Sequence, residues 1–500
     1  MGPGTSTTAP DSRADLRRRR ALVGGIVLVA TTVLAGCETA PPAPPERVEL
    51  TIAVPPFQVL GQDEGADRVG EAFAESLAAI LSEVDDLELV EARARATHVL
   101  TGTLTRKGEE VEADVRLTDA THGDAKVWEL HAQSDGDSLS SLASGLALRI
   151  VDALDLDPPH LYRYIGDVDR GPEIAASPLA AQVEDARRRN DIPEFVRSSV
   201  ALTERYPDDP APHVLNAWAL TQAWDADPSG ENLSRLKDRL VALDRVDPSS
   251  PYDELIRAYI YRSSGNPEQA RTLYSEVLAR SDLSATARSW AIRQRSLASL
   301  QVGDAPAARR DAEQAASLDP LNAQSHIALS KALEALRLPD DAAEASMLAL
   351  ALEPYQWRHH QRLGIVYVRA ERYDEAATAI GRACDMGESQ EACANLAVAL
   401  TQGDRDAEAR AAAQRAASLT ATPWGQYNLA CYRALAGDGA GALDDLRRSL
   451  DLGFVDALIT TDPDLASLRG DPRFEALVAE VEDRLRARRA LSDTVFPWQG

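Results

Sequence analysis

Lysine is almost absent from this sequence, and so are the motifs of the common enzyme classes. Lysine occurs only at Lys107, Lys126, Lys237 and Lys331, and arginine supplies the other positive charges. The sequence contains no G-x-S-x-G nucleophile elbow, no H-E-x-x-H helix and no phosphate-binding glycine loop. Because no recognisable catalytic residues are present, we predict that the protein is not an enzyme and uses no cofactor.

Aromatic residues are also scarce, and the chain has no net positive charge. Aromatics make up 5% of the 500 residues, which suits alanine-rich packed helices better than a large sheet protein. The formal net charge is −26, so the chain repels phosphate backbones and nucleic acid is not expected as a partner. A chain of this length exceeds one compact core, and we expect several domains or an elongated array.

The spacing of the few histidines does not indicate a metal site. None of them clusters with acidic residues at the intervals that metal ligands require. His359 and His360 are adjacent, and on a helix their side chains point about 100° apart. Packed or solvated histidines are therefore favoured over a metal pair, and no metal is predicted.

A period near 34 residues organises the chain from residue 178 to residue 455. One alanine position recurs with this period, at Ala270, Ala308, Ala342, Ala376, Ala409 and Ala442. Gly265, Gly303, Gly403 and Gly437 mark turns between helices, where glycine tolerates a left-handed conformation. Tyr206-Pro207 and Asp247-Pro248 indicate two weaker units upstream. A fixed period of this size predicts an all-α solenoid.

The repeat resembles the tetratricopeptide repeat, on Gly364, Tyr367, Ala376 and Ala383. The resemblance implies a concave groove lined by the first helix of each pair. Placing these helices by the shared alanine turns a basic and aromatic set inward: Tyr252, Tyr259, Arg262, Trp290, Arg293, Lys331, Arg358, Arg369, Trp424 and Tyr427. Such a groove suits acidic peptide segments of other proteins. The alternative is an ordinary solvated face with chance arginines.

The N-terminus is typical of a secretory signal. Arg17 to Arg20 precede an apolar run from Ala21 to Leu34, which is short for a membrane span. Leu34-Ala35-Gly36-Cys37 resembles a bacterial lipobox. The resemblance implies a lipoprotein signal peptide over 1–36, cleavage before Cys37 and lipid on that residue. The alternative is a plain anchor helix with a chance cysteine. A Pro-rich spacer follows over 37–47.

The region 48–157 reads as an α+β domain. Alternating apolar residues from Val48 to Val54 predict a strand, and Val69 to Leu81 has helical spacing. Four further strands and a closing helix, with Leu139, Leu142, Leu146, Ile150 and Leu154 on its apolar face, complete the order β-α-β-β-β-β-α. We expect a mixed sheet with helices on one face.

This region resembles the TolB amino-terminal-like domain, related to the FlgO and CsgG group of envelope lipoproteins. The matching residues are Ile52-Ala53-Val54, Pro56-Phe57, Leu100 to Leu104, Val115 to Ala120 and Val127-Trp128. Two departures are Pro55 in place of the usual leucine and a short segment between Val90 and Thr97. The resemblance carries no catalytic residues, and it implies a sensing or docking role outside a membrane.

Two cysteines lie at facing ends of predicted helices: Cys384 ends one helix and Cys393 opens the next. The runs around Cys384 and Cys393 resemble disulfide-bridged Sel1-like repeats, which implies a bond between them in an oxidising compartment. The alternative is a pair of small buried thiols. Cys431 is interpreted as a free core cysteine.

The predicted fold is thus an α+β domain followed by a tetratricopeptide-repeat solenoid. A linker over 158–177 joins them, and a capping segment over 456–490 and a tail over 491–500 end the chain. The favoured function is a lipid-anchored scaffold facing the periplasm, on the outer membrane, that binds other envelope proteins. A ligand-sensing component whose α/β domain signals through the repeats is the second hypothesis, and an enzyme with an unfamiliar site is the third.

Overall fold

The structure is a computed structural model, and it describes residues 50–60, 66–82, 84, 87–90, 93–107, 110–133, 139–154, 177–189, 191–281 and 283–497. The predicted signal peptide, Cys37, the Pro-rich spacer and nearly all of the predicted linker lie outside these residues. Within the described ranges, no helix is both long enough and apolar enough to cross a bilayer.

A mixed sheet of six strands forms the first folded part. Its strands are β1 (Leu50–Ala53), β2 (Gln58–Leu60), β3 (Leu87–Leu89), β4 (His98–Lys107), β5 (Glu110–Asp119) and β6 (Ala125–Gln133). The order is β3-β1-β4-β5-β6, with β2 alongside the far half of β4. Strand β1 pairs in parallel with β3 and β4, whereas β4, β5 and β6 are antiparallel. The predicted mixed sheet is confirmed.

Strand β2 was not predicted. Gln58, Val59 and Leu60 pair in parallel with Thr103, Leu104 and Thr105. Three residues that follow two prolines are too short to show a period-2 pattern. The strand therefore depends on its partner β4, and the observed order has two strands before the first helix.

Two helices share one core with the sheet. They are α1 (Ala66–Leu81) and α2 (Leu139–Ala153). Along β5, Val111, Ala113, Val115 and Leu117 are buried, and the residues between them are not. These four side chains join Phe73, Leu77, Leu146 and Ile150 of the helices in one apolar cluster. The alternation thus places a single face of the sheet in the core.

The described residues from 178 to 451 form eight helix pairs. They are α3 (Pro178–Arg188) with α4 (Ile192–Arg205), α5 (Pro210–Ala226) with α6 (Gly230–Val246), α7 (Tyr252–Ser263) with α8 (Pro267–Leu278), α9 (Ala285–Gln301) with α10 (Ala305–Leu318), α11 (Ala323–Ala335) with α12 (Pro339–Leu352), α13 (Trp357–Arg369) with α14 (Tyr373–Gly387), α15 (Gln390–Gln402) with α16 (Asp406–Ser418), and α17 (Pro423–Leu435) with α18 (Gly439–Asp451). The predicted solenoid of helix pairs is confirmed.

The recurring alanine lies in the second helix of the third to eighth pairs, where two helices approach closely. All six alanines are at most 1% exposed. In one pair, a Cβ added to Gly364 would lie 2.2 Å from Ile380 Cγ1 and 3.2 Å from the carbonyl oxygen of Ala376. The period therefore records helix contacts that leave room only for the smallest side chains.

A left-handed residue lies five positions before each recurring alanine. These residues are Gly265, Gly303, Arg337, Glu371, Asp404 and Gly437. The prediction for Gly403 is wrong, because its φ is −90° and Asp404 takes the left-handed conformation with φ 58°. The turn fixes the position of the left-handed residue, and three non-glycine residues adopt it although the conformation costs them about 1 kcal/mol.

The α/β domain packs on the fifth helix pair. Leu321, Ile327 and Leu352 belong to the same apolar cluster as the sheet core. Arg106 Nη2 donates to the carbonyl oxygen of Ala351 at 3.1 Å. The α/β domain is therefore attached to the middle of the array through a shared core.

The last helix, α19 (Pro472–Val495), joins two distant parts of the array. Its first turns bury Phe474 and Val481 against the eighth pair. Its last turns reach the third pair, where Asn266 Nδ2 donates to Asp493 Oδ1 at 3.0 Å. A helix of 24 residues spans about 36 Å. The helix thus bridges the end of the array to its early pairs.

The tail predicted over 491–500 is corrected for residues 491–497. Phe496 is 2% exposed and belongs to the core of the first helix pairs. The hydroxyl of Tyr261 donates to the carbonyl oxygen of Phe496, and the guanidinium of Arg257 lies 5.5 Å from the ring centroid. The contacts that hold this segment come from residues more than 200 positions earlier, so no local sequence pattern predicts them.

Candidate protein-binding surface

The first helices of successive pairs bring several predicted groove residues together. Tyr259 and Arg262 come from α7, Trp290 and Arg293 from α9, and Lys331 from α11. Contacts across the pairs show that these helices present one continuous surface, called here the inner surface. Because the positions recur at helical spacing, each helix points the same face to it.

Five cations lie on the inner surface and form the inner cationic cluster: Arg262, Arg293, Lys331, Arg362 and Arg369. Lys331 lies within electrostatic range of Arg362, Arg262 and Arg293. Arg369 is joined to the group by Glu334, which it shares with Arg362. Arg362 was not predicted, although it follows Arg358 by four residues and precedes Arg369 by seven, which is the spacing of one helix face.

Lys331 has an altered acidity because of this setting. Desolvation, Arg362 and Arg262 together lower the pKa of Lys331 to about 8, against a smaller raising effect of Glu334. Its side chain reaches solvent but is surrounded by protein atoms on the inner surface. Within the described residues, the ammonium forms neither a hydrogen bond nor an ion pair. Lys331 is therefore a cation among cations, and among the described residues Glu334 attracts it electrostatically without forming an ion pair with it.

A single carboxylate serves two of the five cations. The Nη2 atom of Arg362 bonds Glu334 and lies 3.3 Å from Ser330 Oγ. The Nε atom of Arg369 lies 2.5 Å from the other oxygen of Glu334. Both oxygens of this carboxylate are thus engaged, so the cluster keeps an excess of positive charge.

Aromatic rings border the cluster. The ring of Trp290 lies 4.7 Å from Trp218, 6.1 Å from Tyr259 and 6.0 Å from Tyr274, measured between centroids. The guanidinium of Arg262 lies 4.9 Å from the centroid of Tyr259. Trp218 and Tyr274 were not predicted. Trp218, Tyr259 and Trp290 are partly buried beside the cations, whereas Tyr274 is 0% exposed and belongs to the core.

The bridging helix α19 also reaches this region. The guanidinium of Arg488 lies 5.3 Å from the ring centroid of Trp224. Burial raises the pKa of Asp225, whereas its hydrogen bond with Tyr259 and the charges of Arg262 and Arg488 lower it. The C-terminal helix therefore contributes a cation to the edge of the inner surface.

Three predicted groove residues lie away from these contacts. Tyr427 is 1% exposed, stacks on Phe454 with centroids 4.5 Å apart and donates to Asp462 Oδ2 at 2.7 Å. It is a core residue, so its predicted place in the groove is wrong. Trp424 packs edge-on against Phe454 at 5.0 Å. Arg358 is exposed in the first turn of α13, with its guanidinium 4.5 Å from the Trp357 centroid.

Tyr252 begins α7 and is partly buried against the core of the first pairs. Tyr252 precedes Tyr259 by seven residues, which places the two on one side of the helix. It therefore belongs to the N-terminal end of the same helix face.

Cys431, Asp462 and Asp464 meet beneath the last pair. One ligand-type atom of each lies within 4.8 Å of the others. Both oxygens of Asp462 already accept hydrogen bonds, from the Tyr427 hydroxyl and from the backbone N–H of Asp464. Burial and the charge of Asp462 raise the pKa of Asp464 to about 6, and burial raises that of Cys431. These contacts describe a hydrogen-bonded cluster that holds the last turns in place.

Cys384 and Cys393 form a disulfide in the structure. The bond joins the end of α14 to the start of α15, with Cα atoms 4.7 Å apart, and both residues are fully buried. Cys431 is a free buried cysteine.

We expect peptide mapping of the unreduced native protein to show one bridge, between Cys384 and Cys393. Cys431 supplies an internal control, because its thiol should react with an alkylating reagent only after unfolding. Alkylation of all three cysteines in unreduced, unfolded protein would show that the two thiols are merely buried neighbours.

No protein-family model matches the sequence, and no curated protein is significantly similar to it. Among solved structures, a tetratricopeptide repeat protein from Parabacteroides merdae is 12% identical, with a TM-score of 0.34, over 61% of this chain and 97% of that chain.

YrrB, described as a TPR protein with an unusual peptide-binding site, is 13% identical over 38% of this chain and 91% of that one, with a TM-score of 0.27. Human IFIT1, solved as a dimer with PPP-AAAA, is 14% identical over 63% and 78%, with a TM-score of 0.40. These are similarities to helical-repeat structures.

Proposed function

We propose that the protein is a non-enzymatic scaffold that binds acidic segments of partner proteins on its inner surface. The observation that carries this proposal is Lys331, which forms no ion pair with any residue that the structure describes. It lies beside arginines whose shared carboxylate, Glu334, is already engaged. An anionic partner would relieve the repulsion among these groups. Each charge-assisted hydrogen bond would contribute roughly 1.5–3 kcal/mol before losses.

The inner cationic cluster contrasts with the rest of the chain, whose net charge is −26. This overall negative charge repels polyanions such as nucleic acid. A short acidic segment needs only the local positive surface, and the adjoining rings offer apolar contact to its side chains. Protein partners are therefore favoured over nucleic acid.

We expect Lys331→Glu combined with Arg369→Glu to abolish partner binding. Fluorescence anisotropy with a labelled hexaglutamate peptide should show a loss of at least tenfold in affinity at physiological salt, and wild-type binding should weaken as salt rises. The melting temperature of the double variant should change little. Arg369 is exposed, and removing the charge of Lys331 relieves its repulsion from the neighbouring arginines. Pull-downs from envelope extracts provide the second readout.

The matched control is Lys237→Glu with Arg410→Glu, which changes the net charge equally at exposed positions on second helices. It should bind the peptide like the wild type. Equal loss in both double variants would mean that overall charge, and not the inner surface, governs binding. Equal retention in both would show that the inner cations form only a solvated face.

We further propose that the protein is lipid-anchored through Cys37 in the bacterial envelope, facing the periplasm from the outer membrane. The sequence from Leu34 to Cys37 after a basic and apolar run supports the lipid anchor, and Glu38 after that cysteine favours the outer membrane. Several acyl chains, at about 0.8 kcal/mol per buried methylene, would hold the protein stably.

Cys37→Ser should leave the protein unlipidated, either uncleaved or released to the soluble fraction. Metabolic labelling with a fatty acid and envelope fractionation measure this result. A Cys431→Ser variant should keep both label and membrane retention. Normal labelling of the Cys37 variant would exclude this residue as the anchor.

A ligand-sensing role of the α/β domain is the second candidate. Helix α11 carries Ile327 in the core shared with that domain and Lys331 on the inner surface. A change in the α/β domain therefore has a direct route to the cluster. An Ile327→Ala variant that keeps its fold but alters hexaglutamate affinity would support this coupling.

A further inference from the structure

A small cavity lies between the first two helix pairs, away from the inner cationic cluster. It has a volume of about 260 Å³, opens to solvent, and is formed by α4, α5 and α6. Its walls include Val200, Leu220, Asn216, Arg235, Asp238 and Arg239. The volume is slightly below that of typical small-molecule sites, so a compact ligand would fill it.

Asn216, in the wall of this cavity, carries an unsatisfied acceptor. Asn216 is completely buried, and its Nδ2 atom donates to Ser199 Oγ at 2.9 Å. Its Oδ1 atom has no hydrogen-bond partner within the described part of the chain. A buried carbonyl oxygen without a partner is costly, and such groups are rare in folded proteins. A ligand that donates a hydrogen bond there would remove the penalty.

A preorganised cation lines the same cavity. His213 Nε2 lies 2.9 Å from the carbonyl oxygen of Pro207 and donates to it, so Nδ1 is an acceptor. Arg239 Nη1 lies 3.3 Å from that Nδ1 and donates. Burial lowers the pKa of His213, which keeps the ring neutral, and also lowers the pKa of Arg239. The histidine thus orients the guanidinium without neutralising it.

No carboxylate pairs with Arg239 in the described residues, and its buried Nε atom has no partner there. Glu204 acts on it only as a distant charge. Arg235 lies one helical turn before Arg239, and Asp238 lies on the same side of α6. The cavity therefore combines two cations, one carboxylate, one orphan amide oxygen and an apolar wall.

We propose that this cavity binds the zwitterionic head of a small free amino acid. The ligand's carboxylate would bond Arg239 and Arg235, and its ammonium would donate to Asn216 Oδ1 and Asp238. A short apolar side chain would pack against Val200 and Leu220. The site is independent of the inner surface, so its occupancy does not rest on the proposed scaffold function.

Isothermal titration of the purified full-length protein with L-leucine tests the proposal. We expect a dissociation constant of roughly 1 mM or tighter, which is reasonable for so small a ligand. N-acetyl-L-leucine lacks the ammonium and L-leucinamide lacks the carboxylate, and each should bind at least tenfold more weakly. An N-acetyl derivative that binds as well as L-leucine would overturn the zwitterion assignment and indicate a site for peptide C-termini.

Variants locate the binding in the cavity. Arg239→Gln should weaken L-leucine binding at least tenfold and Asp238→Asn several-fold, whereas Lys237→Gln, exposed on the same helix, should bind normally. If Arg239→Gln does not fold, the exposed residues Asp238 and Arg235 keep the test available. The absence of binding by L-leucine, L-alanine and L-valine at about ten times the expected constant would show that the cavity holds only water.

Discussion

Replacing Ala376 with arginine should unfold the helix array at temperatures where the natural protein is folded. Ala376 is 0% exposed, and its backbone faces Gly364 across the contact between α13 and α14. A long side chain has no room there, and a guanidinium would be buried without a carboxylate. We expect the free energy of unfolding to fall by more than about 4 kcal/mol, measured by denaturant titration with circular dichroism.

Two other substitutions calibrate this result. Thr378→Arg introduces the same side chain at an exposed position of the same helix, and it should change stability by less than about 0.5 kcal/mol. Leu363→Ala, at a position 6% exposed, should cost roughly 2–5 kcal/mol. If Ala376→Arg melted within a few degrees of Thr378→Arg, the assigned repeat register would be wrong.

The sequence predicted the helix pairs well because their contacts are local. The two helices of a pair are joined by a short turn, so one alanine and one left-handed residue per period suffice to place them. Gly403 shows the limit of this reasoning. A glycine stands one residue before the turn position, and Asp404 takes the left-handed conformation in its stead. Residue type was a weaker guide than the period itself.

Helix-face geometry predicted only part of the inner surface. Arg293 and Tyr427 both lie ten residues before the left-handed residue of their pair, Gly303 and Gly437. Arg293 faces the inner surface, whereas Tyr427 is covered by Phe454 and bonded to Asp462. The position of a residue on its helix determines the direction of its side chain. In the last pair, however, the segments that follow the repeat determine which residues that side chain contacts.

Pairing between charged residues likewise could not be predicted from the sequence. Glu334 lies 28 residues before Arg362, and their spacing along the chain does not predict that they form an ion pair. The same holds for Leu321 and Ile327, whose periodic pattern predicted a helix but not its contact with the α/β domain. Long-range packing decides which cations remain without a counterion, and thus where an anionic partner can bind.

The closing contact of α19 gives the second large effect. Phe496→Ala should reduce the free energy of unfolding by roughly 3–5 kcal/mol, because the ring is buried among residues of the first helix pairs. The loss should appear at a distance: hydrogen exchange of the α7 amides, over Tyr252–Ser263, should accelerate although the substitution lies more than 200 residues away. Mass spectrometry of peptides from α7 and from α16 measures the difference, and the α16 peptides should change less.

Two truncations separate a structural bridge from a dispensable tail. A chain that ends after Pro497 keeps every contact of Phe496 and should melt like the natural protein. A chain that ends after Ala490 loses the bond from Tyr261 and the contact between Asn266 and Asp493, and it should melt several degrees lower. Equal melting of both chains would mean that the array holds its early pairs without residues 491–497. Both truncated chains keep Arg488 at the edge of the inner surface, so partner affinity should be the same in both.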